Sequence, residues 1–182
     1  DFDFMIEIDG SLGEGGGQVL RSALTLSLIT SQAVYIDNIR ARRSKPGLKA
    51  QHLKAVEAAA AVGKADLKGV ELNSTSIYFK PTGIYPGQYR FEIGTAGSTM
   101  LVLQTIFLPL SLANVASQIT ISGGTHVPFS PCFHYIDLQW LRTLRQIGFD
   151  ANLTLERAGF YPQGGGQISM TIRPAGPIQA LS

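Results

Sequence analysis

Two stretches of this chain read alike about 85 residues apart, which confines it to folds built from a duplicated unit of strand, glycine turn and helix. Glu7-Ile8, a glycine turn, Val19-Leu20-Arg21 and Leu26-Ser27-Leu28 recur as Glu92-Ile93, a glycine turn, Val102-Leu103-Gln104 and Leu110-Ser111-Leu112. The strand positions differ by 85 (92 minus 7) and the helical ones by 83 (104 minus 21) or 84 (110 minus 26), so the second copy has the shorter turn. Pro46, Leu53 and Gly63 find Pro131, Leu138 and Gly148 at the same offset of 85 (131 minus 46). This register puts Arg21 and Gln104 at one place in two copies of a βα unit.

Met5 to Asp9 alternates apolar and polar residues, the period of a half-buried strand, and Gly10 to Gly17 closes it. Leucines, alanines and isoleucine at helical spacing predict a helix from Gln18 to Thr30. A β-branched strand over Ala33 to Arg40 follows, then a helix with Pro46 in its first turn that stops near Gly63. Strands at Asp66 to Val70 and Ser76 to Pro81 complete a βαβαββ unit. The order restarts with strand Tyr89 to Ile93, a helix from Ser98, strand Gln118 to Ser122, a helix from Phe133 to Ile147, and strands Ala151 to Glu156 and Gln167 to Arg173. Pro109 is expected to kink or shorten the second copy's first helix. The fold class is therefore α/β: tandem βαβαββ repeats, residues 1–86 and 87–182, with helices packed on four-stranded mixed sheets.

Hydrophobic residues make up 45% of the 182 and charged ones 15%, the composition of a chain that folds. A net charge of +2 excludes a protein that coats polyanions through bulk charge. A basic site must come from local clustering, and one cluster qualifies, Arg40-Ala-Arg42-Arg43-Ser-Lys45-Pro46-Gly47-Leu48-Lys49. The single cysteine, Cys132, excludes a disulfide framework, and no Cys/His spacing resembles a zinc site. The longest apolar stretch, Met100 to Leu112, is interrupted by Gln104, Thr105, Pro109 and Ser111, so no membrane partner is expected. Asp1-Phe2-Asp3-Phe4 lacks the features of a secretory signal, and a cytoplasmic location is the expectation.

Gly13-Glu14-Gly15-Gly16-Gly17-Gln18 sits between strand and helix, where backbone amides and the helix dipole suit a phosphate oxygen. It is neither a P-loop nor a dinucleotide fingerprint, and a tight turn without a ligand fits the segment as well. Glu14 within it faces a metal ion, a sugar hydroxyl or solvent. Arg21, on an almost wholly apolar helix, must snorkel to solvent or meet an anion. The basic turn from Arg40 to Lys49 is either a solvated charge run or a second phosphate site, and its position at a strand-to-helix junction favours the latter. Gln51 and His52 follow it, and a lone histidine on such a helix is more often structural than functional. Gln104, isolated among Leu101, Val102, Leu103 and Ile106, needs a hydrogen-bond partner if buried. Gly159 to Gln167 permits a sharp hairpin or a close backbone approach.

Together these segments resemble the RNA 3′-terminal phosphate cyclases. The resemblance rests on Asp9 to Gln18, Leu20-Arg21, Arg40-Ala41, Pro46-Gly47-Leu48, Gln51-His52-Leu53, Ala96-Gly97-Ser98, Gln104, Gly123-Gly124-Thr125 and the Gly159 to Gly166 loop, in order from Met5 to Pro174. It implies an enzyme that uses ATP and a divalent metal, Mg or Mn, to convert an RNA 3′-phosphate into a 2′,3′-cyclic phosphodiester through enzyme-AMP and RNA-adenylate intermediates. By position it assigns Glu14, Gln51, Gln104 and Pro131 to the nucleotide, with Glu14 also a metal contact. Arg21, Arg40, Arg43 and His52 fall to the catalytic, phosphate-facing set, and RNA with a 3′-terminal phosphate is the implied partner.

One departure is large. Family members are roughly twice this length, with a third repeat, a small inserted domain and, beyond it, the histidine that is adenylylated. No residue here aligns with that nucleophile, so the expectation is an inactive N-terminal fragment that supplies binding surfaces without the covalent step. Two other readings stand beside it: the non-catalytic ribosome-assembly branch of the same superfamily, and an enolpyruvyl-transferase-like enzyme of similar repeats. The physiological RNA and the oligomeric state are left open.

Overall fold

The computed structural model describes residues 5–181. The Asp1-Phe2-Asp3-Phe4 segment, read above for an export signal, lies outside them. In the first repeat the period-two and helical patterns become β1 (Met5–Asp9), α1 (Gly17–Thr30), β2 (Ala33–Asp37), α2 (Ala50–Gly63), β3 (Asp66–Lys68) and β4 (Ile77–Lys80). β1 pairs parallel with β2, and β4 pairs antiparallel with both β2 and β3, giving the order β1-β2-β4-β3. Leu20, Leu24 and Leu28 from α1, Val56 and Ala59 from α2, and Val34, Ile36, Ile77 and Phe79 from the sheet are at most 2% exposed. That layer of helices on one sheet face is the core, and its apolar burial is the main stabilising term.

The second repeat builds β5 (Gln88–Glu92), α3 (Thr99–Ser111), β6 (Ser117–Gly123), a helix α4, β7 (Asp150–Arg157) and β8 (Gly166–Arg173). Helix α4 spans 133–146, with a π-helical stretch at Ile136–Trp140 between α-helical Phe133–Tyr135 and Leu141–Gln146. Its sheet has the order β5-β6-β8-β7, strand for strand that of the first. The fold is thus two α/β modules of one topology, each with helices packed on a four-stranded mixed sheet. The chain divides into compact units between Tyr85 and Pro86.

Three local expectations are corrected. β2 stops at Asp37 and not at Arg40, because Asn38 and Arg40 take left-handed backbone (φ 47° and 56°) and turn the chain out of the strand. α2 starts at Ala50 and not at Pro46. Gly47, with φ 76°, donates to Ile39 O at 2.8 Å, and Leu48 donates to Ser74 O at 2.9 Å, so tertiary hydrogen bonds hold this stretch outside the helix. β3 ends at Lys68 because Gly69 turns left-handed (φ 69°). α3 continues through Pro109 and ends two residues later at Ser111. Among the described residues no helix is long and apolar enough to cross a membrane.

Candidate functional site

The turn between β1 and α1 is shaped by its own backbone. Asp9 Oδ1 accepts the Ser11 N–H at 2.9 Å and Asn38 Nδ2 at 3.1 Å; the Ser11 hydrogen bond leads in holding this carboxyl below its ordinary range. Gly13 and Gly15 then take φ 60° and 56°, left-handed backbone that glycine adopts at least cost. α1 begins at Gly17 with Gly16 as its cap residue, so no side chain accepts from the first-turn amides and no acidic residue occupies that turn. Such an end, with free N–H groups and partial positive charge, is suited to an anion.

Basic side chains pack directly on the three glycines of that turn. A Cβ on Gly15 would lie 2.7 Å from Arg42 Cγ, and one on Gly16 would lie 2.7 Å from Arg43 Nη2. A Cβ on Gly17 would lie 2.5 Å from His52 Nε2 and 2.9 Å from Arg21 Nη1. Glycine is therefore needed here for close approach. Arg42 Nη1 also donates to Gly13 O at 2.8 Å, fastening the basic turn to the glycine turn. Glu14 points away: its side chain is 91% exposed, and its Oε2 lies 3.3 Å from Arg43 Nη2.

Arg21 is 8% exposed, and its Nη2 donates to Gln18 Oε1 at 2.9 Å. Its Nε is buried without a partner, and no carboxylate pairs with it among the described residues. Desolvation pushes this guanidinium down to about 10. A buried cation without a counter-charge is costly to folding, and an anion beside it would offset that cost.

His52 stands one turn into α2, where its Nδ1 accepts the Lys49 backbone N–H at 3.4 Å. That bond assigns the remaining ring proton to Nε2, the nitrogen beside Gly17. Burial, then the charges of Arg40, Arg21 and Lys49, lower its pKa to about 3, so the ring is a neutral donor at neutral pH. Arg40 braces the basic turn instead of reaching outward: its Nη1 donates to Lys45 O at 2.9 Å and Gly47 O at 2.8 Å. Burial, then Arg43, lowers the Arg40 pKa. Gln51 precedes His52 on α2 and is half-buried.

Gln104 and Pro131 belong to the second unit, both half-buried, on α3 and on the loop before α4. The N-terminus of α3 differs from that of α1, because Ser98 Oγ accepts the Leu101 N–H at 3.3 Å and caps it. The Pro131 loop is pinned at its ends. Phe133 N–H donates to Thr125 O at 3.0 Å, and Gly159 N–H donates to the buried Thr125 Oγ1 at 2.9 Å. A chain of polar contacts continues from Thr125 Oγ1 to His126 Nδ1 at 2.8 Å, and from His126 Nε2 to His134 Nδ1 at 3.0 Å. Phe160 stacks on His126 with ring centroids 5.3 Å apart. Among the described residues no group of three or more His, Cys, Asp or Glu side chains is placed to hold a metal ion.

A family model described as RNA 3′-terminal phosphate cyclase matches residues 12–182. The chain belongs to that family. A protein named RNA 3′-terminal phosphate cyclase from Archaeoglobus fulgidus is 50% identical over 171 residues, covering 94% of this chain and 52% of the relative. One of the same name from Ralstonia nicotianae is 49% identical over 177 residues, covering 97% of this chain and 51% of the relative. The chain thus spans about half the length of the curated relatives it matches. Among solved structures, an EPSP synthase from Acinetobacter baumannii aligns with a TM-score of 0.50 at 15% identity, covering 97% of this chain and 32% of that one. At that identity the likeness concerns the fold alone.

Within this cyclase-family chain, Arg21, Arg43 and His52 of the expected catalytic set meet at Gly16 and Gly17, while Arg40 stands behind them as a brace. Three contributors stand in the sequence only as members of longer segments, without a role of their own. Arg42 is hidden in the middle of a charge run, although its place opposite the glycine turn follows once β1 and β2 are paired. Gln18 and the Thr125-His126-His134 chain carry no sequence signal beyond their adjacency to glycines. What the first-unit arrangement can do chemically is receive a phosphoryl group on backbone amides, two guanidinium groups and a neutral imidazole N–H.

Proposed function

We propose that this chain binds the reacting phosphates in an ATP-dependent conversion of an RNA 3′-terminal phosphate to a 2′,3′-cyclic phosphodiester. The observation that carries the reading is Arg21, a buried cation with an orphan Nε, beside uncapped helix amides and under a turn of three glycines. An anion at that point gives Arg21 its missing partner and uses the close approach the glycines allow. Arg21 and Arg43 offset the charge on phosphoryl oxygens, and the His52 Nε2–H donates without competing for a proton. ATP supplies the adenylyl group that turns the terminal phosphate into a good electrophile. Gln51, Gln104 and Pro131 are assigned to the nucleotide, and Glu14, exposed and with room for water and phosphate oxygens, to a Mg or Mn ion. The neighbouring RNA 2′-hydroxyl closes the ring, and its proximity replaces a bimolecular encounter. The nucleophilic histidine of the family is placed outside these 182 residues, with the third repeat, and the activity is placed in the cytoplasm, where the single thiol Cys132 stays reduced.

The test compares binding of an oligoribonucleotide ending in a 3′-phosphate with the same oligonucleotide ending in a 3′-hydroxyl. A preference for the phosphate that disappears in Arg21→Gln is expected. Equal binding of the two ends, or a preference indifferent to Arg21, overturns the reading.

A further inference from the structure

The outer face of the first sheet carries a row of residues that its packing does not require. The strand register places Glu7 of β1, Tyr35 of β2, Tyr78 of β4 and Lys68 of β3 side by side, one from each strand. The neighbours along each strand, Ile8, Ile36 and Ile77, turn to the helix layer, and Ile36 and Ile77 are at most 1% exposed. The row itself therefore lies on the face away from the core. Tyr35 and Tyr78 are half-buried by each other's surroundings, Glu7 and Lys68 are exposed at the two ends, and Lys68 Nζ sits 5.5 Å from the centre of the Tyr78 ring. A groove of about 410 Å³ runs along the row, lined also by Met5, Gly69 and Ser76.

The duplicated unit provides an internal control. The matching row of the second sheet is Glu92, Ser122, Gln167 and Arg157. Both copies keep an acid at one edge and a base at the other, so those ends suit any solvated sheet of this topology. Only the centre differs: two tyrosines in the first copy replace a serine and a glutamine. Tyrosine is over-represented where one protein surface covers another.

Acid, aromatic, aromatic, base is a sequence of chemistries that complements itself when reversed. We propose that this face docks a second copy of the same chain, about a two-fold axis running along the strands between β2 and β4. That rotation lays Glu7 over Lys68 of the other copy twice, and Tyr35 over Tyr78 twice, the isologous arrangement that closes as a dimer. Two four-stranded faces make a small interface, so the association is reversible and concentration-dependent.

Sedimentation velocity of the intact protein over the micromolar range tests this. The expected result is a monomer–dimer equilibrium that Glu7→Lys abolishes and Lys68→Glu abolishes, since each reversal sets like charges opposite one another at both ends. Mixing the two single variants restores a dimer, because every acid then again meets a base. The double variant carrying both reversals also dimerises. Both positions are exposed at sheet edges, and circular dichroism confirms that each variant is folded. A wild-type protein that stays monomeric overturns the proposal. So does a dimer indifferent to either reversal, a mixture of the single variants that stays monomeric, or a monomer that captures single-stranded RNA through Tyr35 and Tyr78.

Discussion

His52 Nδ1 accepts the backbone N–H of Lys49 at 3.4 Å, which fixes the tautomer of the ring, caps α2 and leaves the Nε2–H on the side of Gly17. The folded state therefore holds the neutral form. The pKa lies at about 3 against an unfolded value of 6.5, so the unfolded chain binds the proton first. Stability from this group is complete above pH 6.5 and is lost as pH falls toward 3, at up to about 1.4 kcal/mol per pH unit. His52→Asn keeps an acceptor near the Nδ1 position and removes the titration. Urea midpoints measured from about pH 7 to about pH 4 should fall more steeply for the native protein than for this variant.

Gly17→Ala places a methyl 2.5 Å from His52 Nε2 and 2.9 Å from Arg21 Nη1. The backbone there is not left-handed, so the cost falls on those two side chains and not on the fold. Affinity for a 3′-phosphorylated RNA should drop by at least about tenfold, or about 1.4 kcal/mol, with little change in the thermal midpoint. Isothermal titration together with a melting curve checks both halves.

Arg21 should show opposite effects on stability and binding. Arg21→Met removes a buried cation that has no counter-charge, and the protein without ligand should gain about 1–3 kcal/mol in stability. Inorganic phosphate should raise the thermal midpoint of the native protein by linkage and leave that of the variant unmoved. A variant less stable than the native protein would show that Arg21 is retained for its packing alone.

In the second unit the buried Thr125 Oγ1 accepts from Gly159 and touches His126, so one hydroxyl joins the Pro131 loop to the glycine loop. Thr125→Val keeps the shape and strands the Gly159 N–H, at a cost of about 1–3 kcal/mol read from denaturant midpoints. Burial, then His134, lowers the His126 pKa below its usual 6.5, so this contact too weakens as pH falls below that value. Protection of the Gly159 and Phe160 amides, corrected for the intrinsic exchange rate at each pH, should fall at acidic pH in the native protein and much less in His126→Gln.

The module was legible because its periods are local. β1 and α1 announce themselves by alternation and by Leu20, Leu24 and Leu28 at helical spacing, and the repeat offset carried that reading into the second copy. The start of α2 was not legible. Pro46 is a good first-turn residue by propensity, yet hydrogen bonds from Gly47 to Ile39 and from Leu48 to Ser74 hold the chain out of the helix, and contacts across tens of residues leave no local trace. The π stretch of α4 left no local sign either; its last residue, Trp140, packs edge-on against Phe107 at 4.8 Å. At the candidate site the residue types were visible but their division of labour was not. Arg40, Arg42 and Arg43 read as one basic run, yet Arg40 turns back to brace Lys45 and Gly47 while Arg42 and Arg43 lie against the glycine turn.

Each repeat closes an apolar interior from its own strands and helices. Two copies of one topology thus carry different chemistry at the same turn. The first has accumulated guanidinium groups around an open helix end, and the second has sealed its helix end with a serine hydroxyl and gathered imidazoles nearby. Inheritance of a common architecture thus left the connecting segments free to specialise.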